Sequence, residues 1–160
     1  MKGLLVALTV IFALMSVGMW VGWGLGQWFL DRDTKAILER AQVAANAADM
    51  RGYVVQLEKN MENWGMTEGH AALVFKTPKN DMALIFKTVV RINERLASIE
   101  KLPQSETTYQ VALDDLRGTL REISLETGGW FWAQNWWWMV GSFFVLIIAF
   151  IFGLWAYITD

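Results

Sequence analysis

Residues 130–158 read WFWAQNWWWMVGSFFVLIIAFIFGLWAYI, a stretch with no Asp, Glu, Lys, Arg or His. Five tryptophans crowd its first nine positions, and apolar residues fill nearly all the rest. An uncharged apolar run of about 18 residues or more is long enough to cross the hydrocarbon core of a bilayer as a helix. A second run, GLLVALTVIFALMSVGMWVGWGLGQWFL at residues 3–30, meets the same test. Nearly all of the 14 Lys and Arg and the 16 Asp and Glu fall between the two, within residues 31–126. This segregation predicts an all-α membrane protein, in which two transmembrane helices, 1–30 and 130–160, flank an extramembrane antiparallel helical bundle over 31–129.

At 160 residues there is room for one domain of ordinary size. A cleaved signal peptide is the competing explanation of the start, MKGLLVALTVIFALM. The apolar run goes on through GWGLGQWFL, however, and offers no small-x-small cleavage site before Asp31, so an uncleaved anchor is expected. The net charge of −2, with both signs interspersed, leaves no basic stripe for nucleic acid. The absence of cysteine excludes disulfides, thiolate metal sites and thiol catalysis.

In the first span Gly18, Gly22 and Gly26 form a GxxxGxxxG series. Spacing by four keeps them within about 80° of one another round a helix, and Trp20, Trp23 and Trp28 fall on the other side. The glycines offer a smooth face where a second helix can approach closely, the usual source of packing energy inside a membrane. Glycine is also simply frequent in membrane helices, which is the blander explanation. In the second span Trp130, Trp132, Trp136, Trp137 and Trp138 encircle the helix where polar sequence gives way to apolar. With Trp28 at the matching end of the first span they are expected to anchor the chain at the headgroup layer, where an indole ring meets acyl chains and its N–H meets water. A tryptophan-walled pocket for a lipid, quinone or pigment is the sharper alternative.

Between the spans three apolar seams step by threes and fours. Val43, Ala47, Met50, Val54, Leu57, Met61 and Trp64 predict one continuous helix over 31–65 that ends at Gly65. Met82, Ile85, Val89, Ile92, Leu96 and Ile99 predict a second, capped by Asn80 or Asp81 and broken by Pro103. Tyr109, Leu113, Leu116, Leu120 and Ile123 predict a third, capped by Ser105, with Gly128–Gly129 as the joint to the second span. The chain must return to the membrane, so the number of passes is even. Residues 66–79, with a cap at Thr67, are therefore expected to run back as a short helix or irregular strand, giving a short four-pass bundle.

Candidate chemistry is sparse. His70 is the sole histidine, and Met66 and Met61 nearby make only a weak copper or haem ligand set. Asp114, Asp115, Arg117 and Arg121 read as a solvated face with intrahelical pairs, since neighbouring carboxylates on a helix point apart. The glycines of VGWGLG lie inside an apolar span and make no phosphate loop. Neither span carries an ionisable group away from its ends, against the habit of pumps and transporters. No catalytic residue, metal or cofactor is therefore expected, and the partners expected are the lipid bilayer and other membrane subunits or a second copy.

The leading expectation is a non-catalytic integral membrane subunit that packs within and stabilises a larger complex. A self-associating pore, ring or scaffold built on the glycine face comes second. Third, the order of span, helical bundle and span resembles the sensor half of bacterial chemoreceptors and some histidine kinases. That resemblance implies a ligand-sensing bundle, and with the chain ending at Asp160 its output would pass through a partner. Met1-Lys2 ahead of the first span favours a bacterial inner membrane with the bundle in the periplasm.

Overall fold

The computed structural model describes residues 2–158; Met1, Thr159 and Asp160, at the outer ends of the two expected spans, lie outside the described residues. The described residues form six α-helices: α1 (Lys2–Asp33), α2 (Lys35–Gln42), α3 (Ala47–Asn63), α4 (Met82–Ile99), α5 (Thr107–Glu122) and α6 (Thr127–Ile158). Among the described residues there is no strand, only an isolated bridge between His70 and Asp81. The helices α1 and α6 are each long and apolar enough to cross a membrane. The chain divides into two compact units, one of Met1–Trp28 with Gln134–Asp160 and one of Phe29–Ala133.

Within Phe29–Ala133, α2 packs on α3 and α5, and α4 packs on the same two helices. Paired side chains give the directions. Arg51 binds Glu100 at 2.7 Å while Asn93 donates to Glu58 at 2.9 Å, so α3 and α4 run antiparallel. Gln42 donates to the Leu120 carbonyl at 3.0 Å, and Ala47 N–H donates to the Tyr109 hydroxyl at 2.8 Å, so α5 descends past α2 and the start of α3. The core between them holds Met50, Val54, Leu57 and Met61 from α3, all six seam residues of α4, and Tyr109, Leu113, Leu116 and Leu120 from α5. Their 3,4 spacing is what turns one stripe of each helix inward.

The expected continuous helix over 31–65 does not form. The backbone ladder passes intact through Thr34, where Thr34 N–H reaches Leu30 O at 3.0 Å and Leu38 N–H reaches Thr34 O at 2.9 Å. It stops at Val43, which is 78% exposed rather than part of the seam. Asn46 then caps a new helix, its side-chain oxygen accepting from Asp49 N–H at 2.8 Å. Arg117 of α5 closes this turn by donating to the carbonyls of Ala44 (2.7 Å) and Ala45 (3.3 Å). The chain thus turns back at 43–46, and Asn60 and Trp64 at the far end of α3 hydrogen-bond to Asp33. Helix α3 makes the return that the sequence analysis assigns to residues 66–79.

Gly65 ends α3 as expected. Its φ of 71° is left-handed, with Gly65 N–H donating to Glu62 O at 3.0 Å and Met66 N–H to Met61 O at 2.8 Å, the double bond pattern of a Schellman stop. Residues 64–81 are irregular apart from a 3-10 turn at Pro78–Asn80, and no helix follows Thr67. Asp81 caps α4, accepting from Ala83 and Leu84 N–H at 2.9 and 3.3 Å. Asp81→Ala should therefore lower the unfolding free energy by about 0.5–2 kcal/mol, read as a shift of the denaturation midpoint at constant slope.

Two further boundaries move. The cap position of α5 is Glu106 rather than Ser105, and it makes no side-chain cap bond. Gly128 and Gly129 do not form a joint but lie in the first turn of α6, after a non-helical link at 123–126. Gly129 is needed for proximity: a Cβ there would come closer than 3.0 Å to the Ala71 carbonyl oxygen, a backbone atom that cannot swing aside. Gly129→Ala should cost about 1–3 kcal/mol in the same denaturation measurement.

Candidate functional site

Within the unit of Met1–Trp28 and Gln134–Asp160, α1 and α6 meet along an antiparallel seam. Thr9 lies opposite Gly153, where a Cβ would sit 3.5 Å from Thr9 Cγ2, and Met19 lies opposite Gly141 at the same distance. Between them Phe12 stacks on Phe152 with ring centroids 5.9 Å apart, and Ser16 donates to the Ser142 carbonyl at 3.4 Å. On α1 the seam runs Thr9, Phe12, Ser16, Met19, stepping by 3, 4 and 3. On α6 it is built from small residues: Ser142, Ala149 and Ala156 are all buried and seven apart. Small side chains there leave room for the larger ones of α1, the arrangement by which helices interlock without help from water. The hydroxyls are satisfied within the chain, Thr9 by Leu5 O at 2.9 Å and Ser142 by Met139 O at 2.8 Å.

This seam places the predicted glycines. On a helix of 100° per residue Gly22 and Gly18 stand roughly 100° and 140° away from its centre, and Gly26 roughly 60°. Gly18 and Gly22 are exposed and nothing lies within 4 Å of a Cβ built on either, whereas Gly26 is half-buried. Ile11 and Met15 share their face and are exposed too. The bulky side expected opposite the glycines is used in part within the chain. Trp23 is half-buried and meets Trp20 edge-on at 6.5 Å.

The predicted collar separates into two kinds of residue. Trp28, Trp136, Trp137 and Trp138 are exposed in one unit, with Trp137 and Trp138 tilted together at 4.8 Å, and Trp132 is exposed in the other. Trp130 is not a surface residue: it is only 5% exposed, and its indole nitrogen is enclosed with it. It belongs to the core of Phe29–Ala133, beside buried Phe131 in sequence, and so presents neither ring nor N–H to lipid. The regular helix is interrupted at Asn135 (φ −118°, ψ 15°), just before the Trp136–Trp138 run.

The tryptophan-lined cleft formed by Met19, Trp20, Trp23, Trp138, Met139 and Ser142 has a volume of about 10 Å³. That is room for a single water and not for a quinone or pigment ring. His70 sits 3.9 Å from Asp81, while Met66 is fully buried in the core. Among the described residues no three His, Cys, Asp or Glu side chains gather at metal-binding spacing. Asp114 and Arg117 pair at 2.7 Å, and Asp115 reaches across to Arg95 of α4, also at 2.7 Å, so this charged patch joins helices together.

The sequence analysis did not single out the small-residue stripe of α6. The sevenfold spacing of Ser142, Ala149 and Ala156 was the available signal, masked by the large apolar residues between them.

The chain matches no protein-family model, and no curated protein or solved structure shows significant similarity to it. The structure itself shows a helical protein with two helices long and apolar enough to cross a membrane and an aromatic cluster rich in tryptophan.

Proposed function

We propose that this chain is a non-catalytic integral membrane subunit, which packs against neighbouring membrane proteins through the glycine face of α1 and stabilises the complex they form. In this reading α1 and α6 cross a bacterial inner membrane and Phe29–Ala133 lies in the periplasm. Trp28, Trp132, Trp136, Trp137 and Trp138 then sit in the headgroup layer.

One observation carries the proposal. The seam between α1 and α6 is made by Thr9, Phe12, Ser16 and Met19, which leaves Gly18 and Gly22 uncovered by the chain's own packing. Acyl chains gain nothing special from a glycine stripe, whereas a second helix gains a close approach. The exposure of most large apolar side chains on both helices fits the lipid surroundings that this requires.

The chain has no cysteine, so one placed at Met15, on the glycine face, reports its neighbour alone. M15C labelled with a benzophenone maleimide, which inserts into neighbouring C–H bonds on irradiation, should give in intact membranes an adduct heavier than 18.3 kDa that contains a different polypeptide. An adduct of two copies of the chain would instead establish the self-associating alternative. No adduct at Met15 would remove the docking role of this face.

A further inference from the structure

Leu73, Val74 and Phe75 are consecutive and exposed in an irregular loop, Val74 by 77% and Phe75 by 81%. The loop is fastened rather than loose. Buried Asn80 donates to the Phe75 carbonyl at 2.8 Å, accepts from Thr77 N–H at 2.9 Å, and offers its own carbonyl to Ala71 N–H at 2.8 Å. Held at both ends in this way, three apolar side chains stand outward where a soluble loop would carry polar ones.

We infer that Leu73–Phe75 is a third membrane-contacting element, a loop that dips into the boundary between headgroups and acyl chains of the bilayer crossed by α1 and α6, and so rests on that reading. Its place in the chain supports this. The Ala71 carbonyl abuts Gly129, and Leu73–Phe75 share an open groove of about 550 Å³ with Trp132, which lies in the uncharged stretch that follows Glu126. Within Phe29–Ala133 the loop therefore shares a surface with an exposed tryptophan of the uncharged stretch. Lys76 and Lys79 follow immediately, and apolar residues backed by lysines are the composition of interfacial anchors on anionic lipid.

A protein partner is the less suitable occupant. A loop tip of three side chains falls well short of the roughly 800 Å² that each side gives to a stable protein interface. A bilayer sets no such minimum, because each buried CH2 contributes separately.

The test is a spin label on single cysteines in the full chain, V74C for the loop, F150C for the apolar C-terminal half of α6 and V111C for the exposed face of α5. Each is reconstituted in phosphatidylcholine vesicles with and without phosphatidylglycerol. Accessibility to oxygen against a water-soluble nickel chelate reads depth. The expected V74C value lies between those of F150C and V111C and shifts toward F150C when phosphatidylglycerol is present. If V74C matches V111C while F150C is shielded from nickel, the loop does not touch lipid and the inference is overturned, though the spans survive. If F150C is itself open to nickel, the membrane reading fails and takes the loop with it. A V74C label shielded from both reagents would mean that protein covers the loop, which also overturns it.

Discussion

Gly22→Leu should release the chain from the proposed complex while leaving its own fold intact. The space around this position is open, because beyond the local helix backbone no atom lies within 4 Å of a Cβ built there. The α1–α6 seam lies on another face and keeps its Phe12–Phe152 stack and Ser16–Ser142 bond. The proposed partner helix, by contrast, would meet a four-carbon side chain where it had met backbone. Overpacking of this kind costs about 1–3 kcal/mol, which weakens association roughly tenfold to a hundredfold. The pair of readouts is co-purification from the membrane and thermal unfolding of the chain in detergent. Lost co-purification with an unchanged midpoint is the expected result. A lowered midpoint would place the glycine against the chain's own atoms, and unchanged co-purification would place the partner elsewhere. Gly153→Leu should behave differently, since Thr9 already lies at contact distance and the seam itself would open.

The largest expected loss of stability is at Leu57. It is fully buried on α3, which packs against both α2 and α4. Leu57→Ala removes three methyl or methylene groups' worth of contact and leaves a hole that rigid helices fill only in part, for about 2–5 kcal/mol. Against a typical total of about 5–15 kcal/mol, this could remove half of the stability of a domain. Val111→Ala on α5 is the control, exposed and expected to change stability by less than about 0.5 kcal/mol. Urea titration of both variants in the same lipid separates them. Equal midpoints would mean that Leu57 is not in a packed core.

The parts legible in the sequence are those set by periodicity over many residues. The two uncharged runs gave α1 and α6, and the six-residue seam of α4 is buried at every predicted position. The seam through 43–64 misled because its rhythm survives the break: Val43, Ala47 and Met50 keep the 4,3 step although a turn lies between the first two. A hairpin that preserves phase is invisible to periodicity. The local signal was Asn46 followed three residues later by Asp49, a cap ahead of a new helix, and its chemistry outweighed the seam. Trp130 was misplaced for a related reason. Composition located the aromatic cluster, yet which tryptophans turn inward depends on tertiary packing. The glycine face was readable as a stripe, whereas its freedom from α6 became visible only once the Thr9–Phe12–Ser16–Met19 seam was placed.

The claim that this chain serves as a subunit is tested most directly by native mass spectrometry of material extracted from its own membrane in a mild detergent or a lipid particle. The account predicts the 18.3 kDa chain within an assembly that holds other polypeptides, from which Gly22→Leu is missing. A lone 18.3 kDa species carrying only lipid would contradict it, as would assemblies composed of this chain alone.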